Sequence, residues 1–225
     1  MSEPRASRGD EIRLVVFDIG QVLVRVCDGW QDACKRVGIA RHAIDLSDHE
    51  SKQMAEIIER WDSGLIDLEQ FANEVAPLRG ITAAEVIRIH HAYLLGCFDG
   101  AVELIDDLNV AGLQTACLSN TNAGHWKQMS TPGDATYFPL DRMTYRFASH
   151  LVGCCKPDER IYRHVEERTG VRGSQVMFFD DRAENVRAAT RIGWQGHVIA
   201  LDGDPIAQVR RHLCRDIDFV NLRKY

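Results

Sequence analysis

The sequence predicts an α/β protein: a doubly wound parallel sheet with an all-helical segment inserted after its first strand. Three observations predict it. Short apolar runs alternate with helical periodicity from residue 96 onward, as in sheets whose strands are joined by helical crossovers. The stretch 28–95 carries helical periodicity and no convincing strand. Three of the apolar runs end in reactive polar residues: Asp18, Ser119, and Asp180 with Asp181. In an open α/β sheet, ligands bind beyond the carboxyl ends of the strands, so the three endings converge.

The elements follow in order. Residues 1–10 are polar and are read as a disordered tail, with no apolar signal core after them. Residues 12–17 form a β-like run that stops at Asp18-Ile19-Gly20. The helical stretch is broken at 45–51, 62–64 and 79–82, and Thr82 followed by Glu85 has the spacing of a capping box. A helix is expected over 101–110, ended by Ala111-Gly112, then a strand over 113–118 and a helix near 123–129. An irregular loop covers 130–141 and a strand 145–149. A helix over 157–169 is expected to start on Pro157. The strand 176–179, helix 183–191, strand 197–201 and helix 205–214 complete the chain. The expected domains are therefore a core of 11–27 and 96–225, and a helical domain of 28–95.

Of the 225 residues, 45% are hydrophobic and 27% charged, which is ordinary for a soluble globular protein. A formal net charge of −6 argues against nucleic acid or an anionic membrane as partner. The seven cysteines show no CxxC spacing and are read as reduced thiols in a cytoplasmic protein. Every apolar run is too short to cross a bilayer. Oligomeric state is not legible.

A carboxylate such as Asp18, at the end of a buried strand, can attack phosphorus with one oxygen and bind Mg²⁺ with the other. Taken alone, Asp18 reads rather as a helix-capping or turn aspartate. At Ser119-Asn120 a hydroxyl and successive backbone N–H groups at a helix start make an anion site, or an ordinary N-cap. Lys156 beside such a site neutralises phosphate and steadies the aspartate; in isolation it is a surface lysine. Asp180 and Asp181 repel each other against an apolar strand unless a cation or partner is present, and hard oxygen ligands suit Mg²⁺. Asn185, one turn further on, is placed to tie down Lys156 or an acid.

Together these residues resemble the four motifs of the haloacid dehalogenase superfamily. In order they are Phe17-Asp18-Ile19-Gly20, Leu118-Ser119-Asn120, Lys156-Pro157 and Phe179-Asp180-Asp181. The look is closest to bacterial phosphatases acting on sugar phosphates such as α-glucose 1-phosphate, which share the run beginning at Phe17 and a His at the position of His125. The resemblance implies a Rossmann-like core and a helical cap over 28–95. It also implies a cap loop around Trp61 that faces the site. The roles it implies are Asp18, Ser119 and Lys156 in catalysis, and Ser119, Asn120, Lys156, Trp61 and His125 in substrate binding. Mg²⁺ is implied on Asp18, the Gly20 carbonyl, Asp180 and Asp181. The partner is then a small phosphorylated metabolite.

One position departs from the family pattern. Phosphatases of the superfamily usually carry an acid–base aspartate two residues after the nucleophile, where this chain has Gly20. His125, a cap residue or water is left to assist, although His125 reads equally as a residue bonded to backbone. The alternatives are a silent phosphate-binding protein, kept open by Gly20, and a metal-free 2-haloacid dehalogenase, against which Asp180-Asp181 argues.

Overall fold

The computed structural model describes residues 11–39 and 46–217. The expected tail, residues 1–10, lies outside them. The first strand, β1 (Leu14–Phe17), is four apolar residues, all buried. A strand hydrogen-bonded on both sides and covered on both faces needs apolar side chains pointing both ways. A short strand, β2 (Val24–Val26), follows the turn after Asp18.

Four helices come next: α1 (Gly29–Arg36), α2 (Asp48–Asp62), α3 (Leu68–Arg79) and α4 (Ala83–His91). The expected breaks near 62–64 and 79–82 separate α2, α3 and α4, whereas α2 already begins at Asp48, inside the expected break at 45–51, and α1 ends at Arg36. Thr82 caps α4 in a reciprocal box with Glu85, and Ser47 with Glu50 and Asp67 with Gln70 do the same for α2 and α3. Met54, Ile57, Phe71, Val75 and Val86 form a cluster of their own among these helices. After α2 the chain passes so close to the rest of the molecule that a Cβ on Gly64 would stand 2.6 Å from the His150 carbonyl oxygen, and Gly64 has φ +74°. Glycine is required there by both space and backbone.

The strand β3 (Leu94–Cys97) pairs antiparallel with β2. Neither was expected. Three or four residues in a two-stranded ribbon give too little alternation to be distinguished from a loop.

Then follow α5 (Ala101–Val110), β4 (Gln114–Ser119), α6 (Ala123–Ser130), β5 (Tyr145–Ala148), α7 (Ser149–Val152) and α8 (Glu159–Thr169). The chain continues through β6 (Val176–Asp180), α9 (Ala183–Arg191), β7 (Gln195–Val198) and α10 (Pro205–Ile217). The sheet has the order β5-β4-β1-β6-β7 with every pair parallel, a doubly wound arrangement whose order reverses at β1. The alternation along β1 divides the core. Val15 and Phe17 face Ile105, Leu108, Val209 and Leu213, while Leu14 and Val16 face Ile161, Val165, Ala189 and Trp194.

Several boundaries differ from expectation: β1 begins at Leu14 rather than 12, β4 is shifted by one residue, α10 runs on to Ile217 rather than 214, and α7 was not expected. Pro157 stands outside α8, whose N-cap is Asp158, accepting from the Arg160 N–H. β7 begins at Gln195 rather than 197, because Gln195 and Gly196 pair with Met177 and Phe178, and Leu201 is left exposed in a turn. No helix among the described residues is long and apolar enough to cross a membrane. All seven cysteines are free.

Candidate active site

The register of the sheet brings the strand endings together. Phe17 pairs with Cys117 on one side and Phe179 on the other, so Asp18 emerges level with Leu118 and Asp180. The Asp18 N–H donates to the Phe179 carbonyl at 2.8 Å, and its Oδ1 accepts from the Ile19 N–H at 2.7 Å. Lys156 arrives from the loop before α8, fully covered. Its Nζ lies 2.9 Å from Asp18 Oδ1 and 2.7 Å from Asp180 Oδ2.

Two side chains fix this arrangement. Asn120 donates from Nδ2 to the Lys156 carbonyl at 2.8 Å and accepts on Oδ1 from the Lys156 N–H at 2.7 Å. That two-way bond ties the loop after β4 to the lysine, and nothing in the sequence separates it from an ordinary polar loop residue. Asn185 donates to both oxygens of Asp180, at 3.0 and 3.1 Å, and the Arg182 N–H adds a third bond at 2.8 Å. Of the two options the sequence left for Asn185, it ties down the acid. Asp180 is thus saturated by Lys156, Asn185 and backbone, whereas Asp181 is only part-buried.

The electrostatics are those of three acids around one cation. Burial pushes the Asp18 carboxyl up to about 7; Lys156 opposes this, and Asp180 and Asp181 add to it. Asp181 is raised by burial and by Asp180. Burial pulls Lys156 down, but Asp18 and Asp180 outweigh it and the ammonium is held above its ordinary value. Oxygens of Asp18, Asp180 and Asp181 lie within 4.8 Å of one another, a hard-donor set that fits a small dication. Ser119 is buried at the end of β4, one residue beyond the position level with Asp18. Gly20 forms a bridge with Val24 in the turn after Asp18.

Trp61 and His125 lie apart from this ion cluster. They line an adjoining cavity of about 280 Å³ among α1–α4, which also reaches Asn120, Thr121 and Asn122. His125 Nε2 pairs with the His90 carbonyl at 2.9 Å, its Nδ1 faces Asn122 Nδ2 at 3.2 Å, and its ring stacks on His90 at 3.9 Å. It therefore bonds backbone and lines the cavity at once. Asp62, next to Trp61, lines the same cavity; burial raises it to about 7, opposed by Asn122. The sequence reading placed Asp62 only within the cap loop around Trp61, and it missed His90, because a polar residue in a helix's last turn reads as solvated.

The family model for haloacid dehalogenase-like hydrolases matches residues 12–193. The chain is 28% identical over 211 residues to acyl-CoA dehydrogenase family member 10 of Mus musculus. That match covers 87% of this chain but 18% of the mouse protein, so the chain spans under a fifth of that relative's length. It is 25% identical over 187 residues to the sesquiterpene phosphatase astK of Aspergillus oryzae, covering 82% of this chain and 88% of that one. A family enzyme from Bacteroides thetaiotaomicron, solved in complex with magnesium and inorganic phosphate, superposes with a TM-score of 0.69. It is 21% identical, with 86% of this chain and 96% of that chain covered, a likeness of fold.

Proposed function

The chain belongs to the haloacid dehalogenase-like hydrolases, and we propose that it is a Mg²⁺-dependent phosphatase in which Asp18 is the nucleophile. The observation that carries this reading is the buried cluster of Asp18, Lys156, Asp180 and Asp181. It joins a carboxylate at a strand end, a covered ammonium 2.9 Å away and a hard-oxygen donor set. Asp18, Asp181 and the Gly20 carbonyl would hold Mg²⁺, with Asp180 direct or through water. When bound, the ion supplies positive charge that lets an anionic nucleophile approach an anionic phosphoryl group.

This chain's own residues do the rest. Asp18 attacks phosphorus, the bond to the leaving oxygen breaks, and water then hydrolyses the aspartyl phosphate. Ser119 and the Asn120 N–H hold phosphoryl oxygens, and Lys156 offsets the charge spread over them in the transition state. Asn120 and Asn185 are positioning residues for Lys156 and Asp180. The helices α1–α4 act as a cap over the site, excluding water and selecting the leaving group.

The named phosphatase activity of the fungal relative and the magnesium and phosphate bound by the bacterial enzyme support the reading by likeness. The motif likeness names a hexose 1-phosphate as one candidate substrate. Gly20 favours a second reading, a phosphate-binding protein without turnover. Hydrolysis of p-nitrophenyl phosphate with Mg²⁺ and with EDTA decides between them. Metal-dependent phosphate release is expected, and tight phosphate binding with no release would select the second.

A further inference from the structure

The cavity beside the ion cluster is a built seat, and its chemistry is specific. Its wall is formed by Trp30, Met54, Ile58, Trp61, Phe71 and Ile89, all from α1–α4. Trp61 and Phe71 stack with centroids 3.7 Å apart, which makes that part of the wall a firm aromatic surface. Asn120 links the cavity to the proposed phosphate site: it stands in the cavity wall and holds Lys156 by two hydrogen bonds.

Several of the polar groups in the wall are committed, and Arg79, Tyr93 and Thr121 line it as well. Asn120 is occupied by the Lys156 backbone, and both nitrogens of His125 face partners. Asp62 and Asn122 line the wall together, and Asn122 opposes the burial that raises the Asp62 carboxyl. Neither ring nitrogen of His90, which is 4% exposed, has a hydrogen-bond partner. Burial holds this ring neutral, and both of its nitrogens are themselves covered, so the ring adds no exposed charge to the wall. A hexose presents several hydroxyls, and those that face Trp30, Met54, Ile58 or Phe71 would have no partner, which disfavours binding. A hydrocarbon or aromatic group meets the same wall favourably.

We propose that this cavity receives the leaving group of the substrate, and that the substrate is a phosphomonoester of an apolar alcohol or phenol rather than of a sugar. The inference rests on the phosphatase reading for the phosphate end alone. The apolar seat is a property of the helices. Tyr93 and Thr121 stand in the wall for the few polar atoms of an otherwise hydrocarbon ligand.

The test compares kcat/KM with Mg²⁺ for n-octyl phosphate, 1-naphthyl phosphate and α-glucose 1-phosphate, in the wild type and in Ile58→Glu. Ile58 is 40% exposed, so a charge there is tolerated by the fold while it enters the wall. Ile58→Gln is the milder second variant. The proposal expects the octyl and naphthyl esters to exceed the sugar phosphate at least tenfold, and that ratio to fall at least fivefold in Ile58→Glu. A preference for the sugar phosphate, or a ratio unmoved by both variants, overturns it while leaving the phosphatase intact. Should no ester be hydrolysed, the phosphatase reading fails separately, and binding of 1-naphthol by calorimetry still decides. Micromolar binding weakened by Ile58→Glu supports the apolar seat, and no binding overturns it.

Discussion

The Lys156 ammonium stands 2.9 Å from the Asp18 carboxylate, in a pair whose side chains are 1% and 13% exposed. Asp180 holds the same ammonium from the other side at 2.7 Å. Removing the cation leaves two close, covered acids. Lys156→Met is therefore expected to destabilise the metal-free protein by about 3–5 kcal/mol, the usual consequence of breaking a buried pair. Mg²⁺ should restore part of the loss, since a ligand that binds only the folded state stabilises it. Thermal denaturation with EDTA and with Mg²⁺ checks both halves. Turnover should fall by a factor equivalent to about 2–4 kcal/mol, as for loss of one electrostatic donor.

The two adjacent acids divide the work. Asp180 is saturated by Lys156, Asn185 and the Arg182 N–H, so Asp180→Asn should lower stability. Asp181 is held up by burial and by its neighbour, so Asp181→Asn should leave stability unchanged or raise it while weakening Mg²⁺ binding at least tenfold. A calorimetric Mg²⁺ titration of both variants separates them. Unchanged affinity in Asp181→Asn would remove that residue from the metal site.

Gly20 can be given the missing acid. A Cβ there would meet only Val26 Cγ1, at 3.9 Å, an ordinary contact. Gly20→Asp should fold normally. It should raise the rate on alkyl phosphates relative to p-nitrophenyl phosphate, by on the order of 10²-fold for a well-placed general acid. Rates on phenethyl and p-nitrophenyl phosphate give the ratio, and an unchanged ratio would show that proton donation does not limit turnover.

Acid should loosen the helical segment at the His90–His125 stack. Burial lowers His125 to about 4 and His90 to about 2. Folded values below the unfolded one mean that the stabilisation is complete above pH ~6.5 and lost as pH falls through the folded values. Asp62, raised to about 7 by burial, acts in the opposite sense: its stabilisation is present below pH ~4 and lost as pH rises through 7. Melting temperature followed from pH 8 to 4 should fall less steeply in His90→Phe than in the wild type. At pH 8, Asp62→Asn should melt higher than the wild type.

Much of this was legible in the sequence because it depends on local pattern. The strand endings Asp18, Ser119 and Asp180 were visible as polar stops on apolar runs, and the parallel register alone brings Asp18 level with Asp180 and within one residue of Ser119. The boundaries of α5 and α9 agree with their expected spans, since Gly112 and the acids before Ala183 punctuate them. The β2–β3 ribbon was not legible, because it is too short for periodicity to register. The two-way bond of Asn120 with Lys156 joins residues distant in the chain, and only tertiary structure creates it. The cavity was hidden for a different reason: Met54, Ile58 and Phe71 carry the helical spacing of a core stripe, and that pattern cannot separate a filled core from a lined pocket.

The central claim is that Asp18 carries the phosphoryl group. Rapid-quench labelling with a ³²P-labelled aryl phosphate in Mg²⁺, followed by peptide mapping, tests it most directly. The account predicts a transient, hydroxylamine-sensitive label on Asp18, and neither label nor turnover in Asp18→Asn while phosphate still binds. Label on another residue, or full turnover in Asp18→Asn, would contradict it.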